Sequence, residues 1–161
     1  MYMTYASPLG VLTLGAGSEG LAGLWIEGQK YFPQKRELDG GKEILRQAKA
    51  WMDRYFAGEK PDPSELALAP EGSNFRREVL GILCGIPYGQ VMTYGEIADI
   101  LAKRRGSAHM SAQAVGGAVG HNPISIIIPC HRVVGADGSL TGYAGGLDKK
   151  KWLLEWEKAT V

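Results

Sequence analysis

The chain is short of the features that mark membrane, secreted and disordered proteins. No apolar stretch approaches the roughly 20 residues needed to cross a bilayer. The start of the chain has no basic segment followed by an apolar one, so we expect no secretory signal and a cytoplasmic location. Of its 161 residues, 45% are hydrophobic and 22% are charged, a composition that indicates a globular protein of one large or two small domains.

Cysteine and histidine are also scarce. The sequence holds two cysteines, Cys84 and Cys130, and its three histidines all follow Cys84. Neither a CxxC nor an HxxxH pair is present, so we expect no zinc, no other metal and no cofactor. A disulfide would be unusual in a reducing compartment, and free thiols are expected. The glycine-rich segments lack GxxxxGK[ST] and GxGxxG, which argues against a phosphate-binding loop.

Neither sign of charge is in large excess, but the charge is unevenly distributed. The formal net charge is +1. Residues 1–72 carry 8 Lys and Arg against 10 Asp and Glu, whereas residues 73–161 carry 10 against 7. The basic excess of the second half is compatible with a polyanionic partner, although a solvated surface explains it equally well.

Residues 1–72 predict a small antiparallel sheet covered by a helix. Short apolar runs alternate with turn residues and indicate three strands, at 2–6, 11–14 and 21–26. Apolar residues then recur at helical spacing from Glu43 to Gly58, which predicts an amphipathic helix over one face of the sheet. The proline-rich connection that follows is interpreted as the boundary between domains 1–72 and 73–161.

The second domain is predicted to be mostly helical, which makes the fold class α/β in the α+β sense. A first helix runs from Phe75 to Ile86. Thr93 and Glu96 form a capping box for the next helix, and Ser111 can cap another that ends at Gly120, so the two are interpreted as a helix-turn-helix with a long connection. The apolar, β-branched run 125–128 predicts a short buried strand, and residues 147–158 predict a final helix.

The most informative segment is Pro129-Cys130-His131-Arg132-Val133. Cysteine is the best side-chain nucleophile near neutral pH, but a thiol with a pKa of about 8.5 needs a neighbour that accepts its proton or stabilises its charge. His131 is the nearest candidate. Consecutive residues of a strand point to opposite faces, so we expect a bridging water between the two side chains. An inert buried thiol is the alternative for Cys130, and the favoured interpretation of Cys84.

Several motifs around this segment occur together in one order. They are Ile86-Pro87-Tyr88-Gly89-Gln90-Val91-Met92-Thr93-Tyr94, Ala114-Val115-Gly116-Gly117-Ala118-Val119-Gly120, Asn122-Pro123 and Gly142-Tyr143-Ala144-Gly145-Gly146-Leu147. In order and spacing, residues 73–161 closely resemble the O6-alkylguanine-DNA alkyltransferases, also called methylated-DNA:protein-cysteine methyltransferases. The N-terminal part resembles them loosely. The resemblance implies a ribonuclease-H-like first domain and a DNA-binding, alkyl-transferring second domain.

By this resemblance Cys130 accepts the alkyl group and His131 acts as a base through water. Glu157 orients the histidine, and Asn122 is a hydrogen-bonding hinge. The sequence itself adds that Glu157 follows two leucines by three and four residues, which places a carboxylate near the apolar side of the last helix, where a charge needs a partner. An exposed helix face is the alternative for Glu157 taken alone.

The same resemblance assigns residues to the base and to DNA. Tyr94 contacts the flipped guanine and a rotated phosphate, and the guanine pocket comprises Val133, Tyr143, Ala144 and Gly145. The residues expected on DNA are Arg104, Arg105, Ala112, Gln113, Ala114, Gly116, Gly117 and Arg132. The small residues suit sequence-independent docking in the minor groove, and a helix packed tightly against a neighbour is the alternative. Gln113 stands where many family members have arginine, so we expect weaker DNA affinity, compensated by residues 103–105 on phosphates.

The function implied is DNA repair by direct damage reversal. The alkyl group of O6-alkylguanine, and of O4-alkylthymine, in double-stranded DNA passes irreversibly to Cys130 after base flipping. Each molecule acts once, as a monomer with no membrane partner. Two alternatives stay open: a non-catalytic lesion-binding relative, in which tryptophan replaces the cysteine, and a Cys-His hydrolase, which would turn over.

Overall fold

The computed structural model describes residues 1–29 and 38–161, and its first part is a three-stranded antiparallel sheet. The strands lie in chain order: β1 (Tyr2–Ser7), β2 (Gly10–Ala16) and β3 (Leu21–Ile26). In the register of the sheet, Thr13 lies opposite Thr4 on one side and Trp25 on the other. All six residues of β3 are buried, so this edge strand is covered by other parts of the chain. The three predicted strands are confirmed.

The amphipathic helix α1 (Lys42–Phe56) packs against the sheet as the sequence predicts. Its buried face consists of Leu45, Ala48, Trp51, Met52 and Tyr55. A short 3₁₀ helix, Pro63–Glu65, follows in the proline-rich connection. Its capping box joins the Asp62 and Glu65 side chains to backbone N–H groups, so this connection has a fixed shape.

The second half is mostly helical, which confirms the α+β class. Its helices are α2 (Asn74–Cys84), α3 (Tyr94–Arg104), α4 (Ala112–Gly120) and α5 (Leu147–Thr160). Two short strands, β4 (Met92–Thr93) and β5 (Val133–Val134), pair in parallel. The hydroxyls of Ser73, Thr93 and Ser111 cap α2, α3 and α4 by accepting backbone N–H bonds. The helix pair α3 and α4 is connected by residues 105–111, and α2 packs against both.

The predicted capping box of α3 is only half present. The Thr93 hydroxyl accepts the Glu96 N–H at 3.1 Å, as expected. The Glu96 carboxylate, however, accepts the Thr93 hydroxyl at 3.2 Å instead of the Thr93 backbone N–H. Thr93 also belongs to β4, where it pairs with Val134 of β5.

The predicted strand at residues 125–128 is wrong. These residues form a buried turn, in which Ile126 has a φ of 72°. Only Ile124 makes a bridge, to Leu24 of β3, and Ser125 donates its N–H to the Leu24 carbonyl at 3.1 Å. The run is apolar because it fills the core. Proline at both ends and side-chain hydrogen bonds from Asn122 favour a turn over a strand.

One continuous hydrophobic core runs from the sheet, through α1, to the helices of the second half and the buried turn. The segment that precedes Cys130 is therefore fixed by β3 on one side and by the helices on the other. Within residues 1–29 and 38–161, no helix is both long enough and apolar enough to span a membrane.

Candidate active site

Cys130 begins a 3₁₀ turn, Cys130–Arg132, directly after the buried turn and Pro129. The residue is 6% exposed. Burial raises the pKa of the Cys130 thiol, although the neighbouring Asn122 amide and the Lys150 charge both favour the thiolate. The resting protein therefore holds a neutral thiol. This environment does not favour a thiolate at rest, so nucleophilic attack requires a base that takes the proton of the thiol.

His131 is fully buried, and its Nε2 lies 2.6 Å from Glu157 Oε2. Burial lowers the pKa of His131 more than the bond to Glu157 raises it. The imidazole is therefore neutral near pH 7. An ionised carboxylate only accepts hydrogen bonds, so Nε2 carries the proton and Nδ1 is an acceptor. Within the described part of the chain, Nδ1 is one of two buried side-chain polar atoms without a hydrogen-bond partner.

Glu157 is the centre of a buried network. It accepts hydrogen bonds from the Tyr55 hydroxyl at 2.7 Å, from Arg132 Nε at 2.7 Å and Arg132 Nη2 at 3.1 Å, and from His131. Burial alone would raise the pKa of Glu157, but the hydrogen bonds from His131 and Arg132 and the positive charge of Arg132 outweigh burial and hold the pKa well below its usual range. Glu157 is therefore an anion that fixes the orientation of His131.

The structure corrects the assignment of Arg132 to DNA. Arg132 is 6% exposed, and its guanidinium donates hydrogen bonds inside the protein, to Glu157 and to the Ile86 carbonyl, each at 2.7 Å. It also lies over the Tyr88 ring at 5.5 Å. The 3₁₀ turn directs Arg132 inward because the buried Glu157 carboxylate needs a charged partner.

Asn122 makes the side-chain hydrogen bonds that hold the buried turn before Cys130. Its side-chain amide donates to the carbonyls of Ile128 at 2.9 Å and Ile124 at 3.3 Å, while its side-chain oxygen accepts the Ile124 N–H at 3.0 Å. These bonds tie both ends of the buried turn together. The same side chain lies beside the Cys130 sulfur.

An open cleft of about 820 Å³ lies between α4 and the loop 135–146. The residues that line it are Tyr94, Ala112, Gln113, Gly116, Gly117, Gly120, His121, Thr141, Gly142, Tyr143 and Ala144. Tyr143 is 8% exposed, and its hydroxyl is the second buried polar atom without a partner among the described residues. The Tyr94 hydroxyl donates to the Thr141 carbonyl at 3.2 Å. An ionised Cys130 would raise the pKa of both tyrosines, which indicates that the thiol lies near this wall of the cleft.

Seven of the predicted base and DNA residues line this cleft, whereas Ala114, Val133 and Gly145 are not among its lining residues. Ala112, Gln113, Ala114 and Gly117 lie on the exposed side of α4. Val133 is fully buried in β5 and its carbonyl accepts a bond from Lys150. Gly145 packs so closely that an added Cβ would lie 2.7 Å from Ile26 Cδ1.

The basic residues at the end of α3 lie apart from the cleft lining. Arg104 is exposed in the last turn of the helix. Arg105 donates to Glu78 at 2.9 Å and lies over the Phe75 ring at 5.3 Å. Part of the positive charge at the end of α3 is therefore compensated within the protein. Of the two arginines, Arg104 makes the fewer contacts.

Two site residues were missed by sequence reasoning. Tyr55 of α1 donates to Glu157 across 102 positions of sequence, and nothing local predicts that contact. Lys150 is fully buried, and it lies on the same stripe of α5 as Leu153 and Glu157. The helical spacing that predicts an inward position for Glu157 applies equally to Lys150, so the burial of Lys150 could have been predicted from the sequence. The described residues contain no cluster of three or more His, Cys, Asp or Glu side chains able to hold a metal ion.

Fold and site together define a thiol-dependent protein in which an exposed helix of small residues borders a substrate cleft. Comparison with known proteins specifies the class. Residues 74–159 match the profile of the 6-O-methylguanine DNA methyltransferase DNA-binding domain, and residues 1–70 match that of the ribonuclease-like domain of the same family. The chain belongs to the 6-O-methylguanine DNA methyltransferase family.

Individual relatives agree along almost the whole chain. A methylated-DNA--protein-cysteine methyltransferase from Methanosarcina barkeri is 43% identical over 158 residues, which is 98% of this chain and 96% of that protein. The crystal structure of Mycobacterium tuberculosis OGT in complex with DNA superposes with a TM-score of 0.85 at 41% identity, covering 99% of this chain and 94% of that one. An O6-methylguanine DNA methyltransferase from Methanococcus jannaschii gives a TM-score of 0.65 at 34% identity, covering 97% and 93%.

Proposed function

We propose that this protein repairs DNA by direct reversal of alkylation, moving the alkyl group of O6-alkylguanine in duplex DNA onto Cys130. The observation that carries the proposal is a buried thiol beneath a cleft, next to a neutral His131 whose Nδ1 has no partner among the described residues. A buried acceptor without a partner is costly, so the site is suited to a proton relay. The family relationship to methylated-DNA–protein-cysteine methyltransferases supports the same reaction.

In this reaction the Cys130 proton passes through a water to His131 Nδ1. Glu157 keeps the Nε2 proton in place and stabilises the resulting imidazolium, as the orienting carboxylate of a catalytic triad does. The sulfur then attacks the alkyl carbon in line. A carbon–sulfur bond forms, the carbon–O6 bond breaks, and its electron pair stays with guanine, which takes up a proton. The thioether product is stable to water, so each protein molecule acts once.

The target base has to leave the duplex to reach the sulfur, at a cost of a few kcal/mol that a poorly paired base reduces. The small residues of α4 allow close approach to the minor groove, and Gln113 fills the space that the base vacates. Tyr94, Tyr143, Ala144 and Gly145, with the backbone at Val133, hold the flipped base.

O4-alkylthymine presents the same alkyl–oxygen carbon to the sulfur, and we include it as a second substrate. The chain works as a monomer with domains 1–72 and 73–161, a division supported by separate profile matches to residues 1–70 and 74–159. We place it in the cytoplasm, where reducing conditions keep Cys84 and Cys130 as the free thiols seen here.

Single-turnover kinetics with duplex DNA that carries one O6-methylguanine test the proposal. The parent and a Cys84→Ser variant should remove the methyl group at the same rate, and Cys130→Ser should remove none. His131→Phe should slow removal about 10²–10⁴-fold, the usual contribution of general base catalysis. Equal rates for Cys130→Ser and the parent would contradict the proposed chemistry.

A further inference from the structure

The Tyr55 hydroxyl links the ribonuclease-like part of the chain, residues 1–70, to the active site. Tyr55 lies in the last turn of α1, is fully buried, and donates to Glu157 Oε2 at 2.7 Å. Its ring is held by aromatic neighbours, because it stacks on Trp51 at 5.7 Å and meets Tyr88 edge to face at 6.0 Å between ring centres. The hydroxyl therefore has a fixed direction, toward a carboxylate of the active site.

The oxygen that accepts the Tyr55 hydroxyl is the same atom that orients His131. Glu157 Oε2 accepts from Tyr55 at 2.7 Å, from His131 Nε2 at 2.6 Å and from Arg132 Nη2 at 3.1 Å. The two oxygens of a carboxylate offer about four lone-pair sites, so three donors on one oxygen share its negative charge. Each donor therefore weakens the interaction of this oxygen with the other two. The effect is large here because the site is buried.

The charge on Glu157 Oε2 also governs how readily His131 takes up a proton. Burial lowers the pKa of His131 most, the Glu157 bond and charge raise it, and the charges of Arg132 and Lys150 lower it further. Tyr55 stays a neutral donor, because burial and the Glu157 charge hold its pKa well above the ordinary value of tyrosine. A hydroxyl that takes up part of the Oε2 charge therefore makes His131 a weaker base. Among the described residues, the titratable and charged groups around this network are Tyr55, Tyr88, Cys130, Arg132, Lys150 and Glu157.

We propose that Tyr55 is a positioning residue for alkyl transfer, whose hydroxyl holds Glu157 Oε2 in place and limits how strongly this oxygen stabilises a protonated His131. The assignment rests on the proposed function and deepens it by giving α1 a part in the proton relay. His131 can accept the Cys130 proton only while its Nδ1 is unprotonated. By moderating the carboxylate, Tyr55 keeps the imidazole neutral until the thiol gives up its proton.

The first test is the Nε2–H proton resonance of His131, recorded in the folded protein without DNA. A stronger bond to a carboxylate moves this resonance downfield. Tyr55→Phe removes one donor from Glu157 Oε2, so the resonance should lie downfield of its position in the parent. Tyr5→Phe is the matched control, because the Tyr5 hydroxyl donates to the exposed Asp53 at 2.6 Å and its removal should leave the resonance unchanged.

A second variant separates this effect from a loss of packing. Incorporation of 3-fluorotyrosine at position 55 keeps the ring and makes the phenol more acidic, and hence a stronger hydrogen-bond donor. The His131 resonance should then move upfield, in the opposite direction to Tyr55→Phe. A general loosening of the site would move the resonance the same way in both variants, and that result would overturn the role of Tyr55.

The same change should appear in the pH dependence of single-turnover methyl transfer. The acidic limb of the Tyr55→Phe profile should shift to higher pH by about half a unit, which is about a threefold higher proton affinity of His131. A purely structural role would lower the rate equally at every pH and leave the midpoint in place. An unmoved midpoint, or an unmoved resonance in folded Tyr55→Phe, would contradict the proposal. Failure of the parent to transfer methyl to Cys130 would instead overturn the proposed function, and the resonance measurement, which uses no DNA, would still report on the Tyr55 bond.

Discussion

Replacing Glu157 by glutamine tests the buried network with one change of charge at nearly constant shape. The carboxylate accepts from Tyr55, His131 and Arg132, and all of these donors lie in the interior. A glutamine amide offers one acceptor oxygen and turns an NH₂ group toward at least one of the donors. Arg132 would then be a buried cation without its anion.

Breaking a buried ion pair by removing one partner costs about 3–5 kcal/mol. That is a large fraction of the 5–15 kcal/mol that typically stabilises a domain. Urea unfolding near neutral pH measures the change. With a slope of about 2 kcal/mol per molar urea, the unfolding midpoint of Glu157→Gln should fall by roughly 2 M.

The matched control is Glu155→Gln on the same helix. Glu155 is exposed and contacts Lys151 at 3.9 Å, so its replacement should change the unfolding free energy by less than about 0.5 kcal/mol. If the unfolding free energy of Glu157→Gln also stays within about 1 kcal/mol of the parent value, the carboxylate does not stabilise the network. The orientation of His131 then needs another explanation.

Four further predictions concern the buried site, the turn before Cys130 and the cleft. The pKa values of His131 and Glu157 are both lowered by folding, so the unfolded chain binds more protons than the folded protein. The free energy of unfolding should therefore fall below about pH 6.5, where unfolded histidine takes up a proton, and again below about pH 4.3, where unfolded glutamate does. A pH series of urea unfolding checks this, and the first decline should be absent in His131→Phe. Asn122→Ala should lower the unfolding free energy by about 2–3 kcal/mol through loss of its buried bonds to the turn, and a loss below about 0.5 kcal/mol would show that the turn holds itself. Gln113→Arg should tighten DNA binding and steepen its dependence on salt by up to about one counterion in a binding titration, whereas an unchanged salt slope would place residue 113 away from phosphates. Gly145→Ala should slow lesion repair, because its Cβ would meet Ile26 and Tyr143 and displace the cleft wall, and single-turnover rates equal to the parent would contradict that packing.

Local patterns predicted most of the fold. Strand alternation in the first 26 residues, the helical stripe of α1 and the hydroxyl caps of α3 and α4 each depend on neighbours within a few positions, and each is confirmed. The strand predicted at residues 125–128 was wrong because β-branched residues can be buried in a turn as well as in a strand. The difference was set by Asn122 and by Leu24, which lies about a hundred positions away.

The site was predictable where a motif or a helical stripe marked it. Cys130, His131 and Asn122 lie in motifs, and Glu157 was indicated by its place on the apolar side of α5. Arg132 was misassigned because a basic residue in a DNA-acting motif suggests DNA, whereas the 3₁₀ turn directs it to Glu157. The contribution of Tyr55 depends on the packing of α1 against α5, which no local pattern encodes.

The most direct test of the account is the mass of the Cys130 peptide after the protein is mixed with one equivalent of duplex DNA carrying O6-methylguanine. We expect this peptide alone to gain one CH₂ unit, the Cys84 peptide to stay unmodified, and the lesions removed to equal the protein added. An unmodified Cys130 after complete repair, or repair that continues through many lesions per molecule, would contradict irreversible transfer to this sulfur.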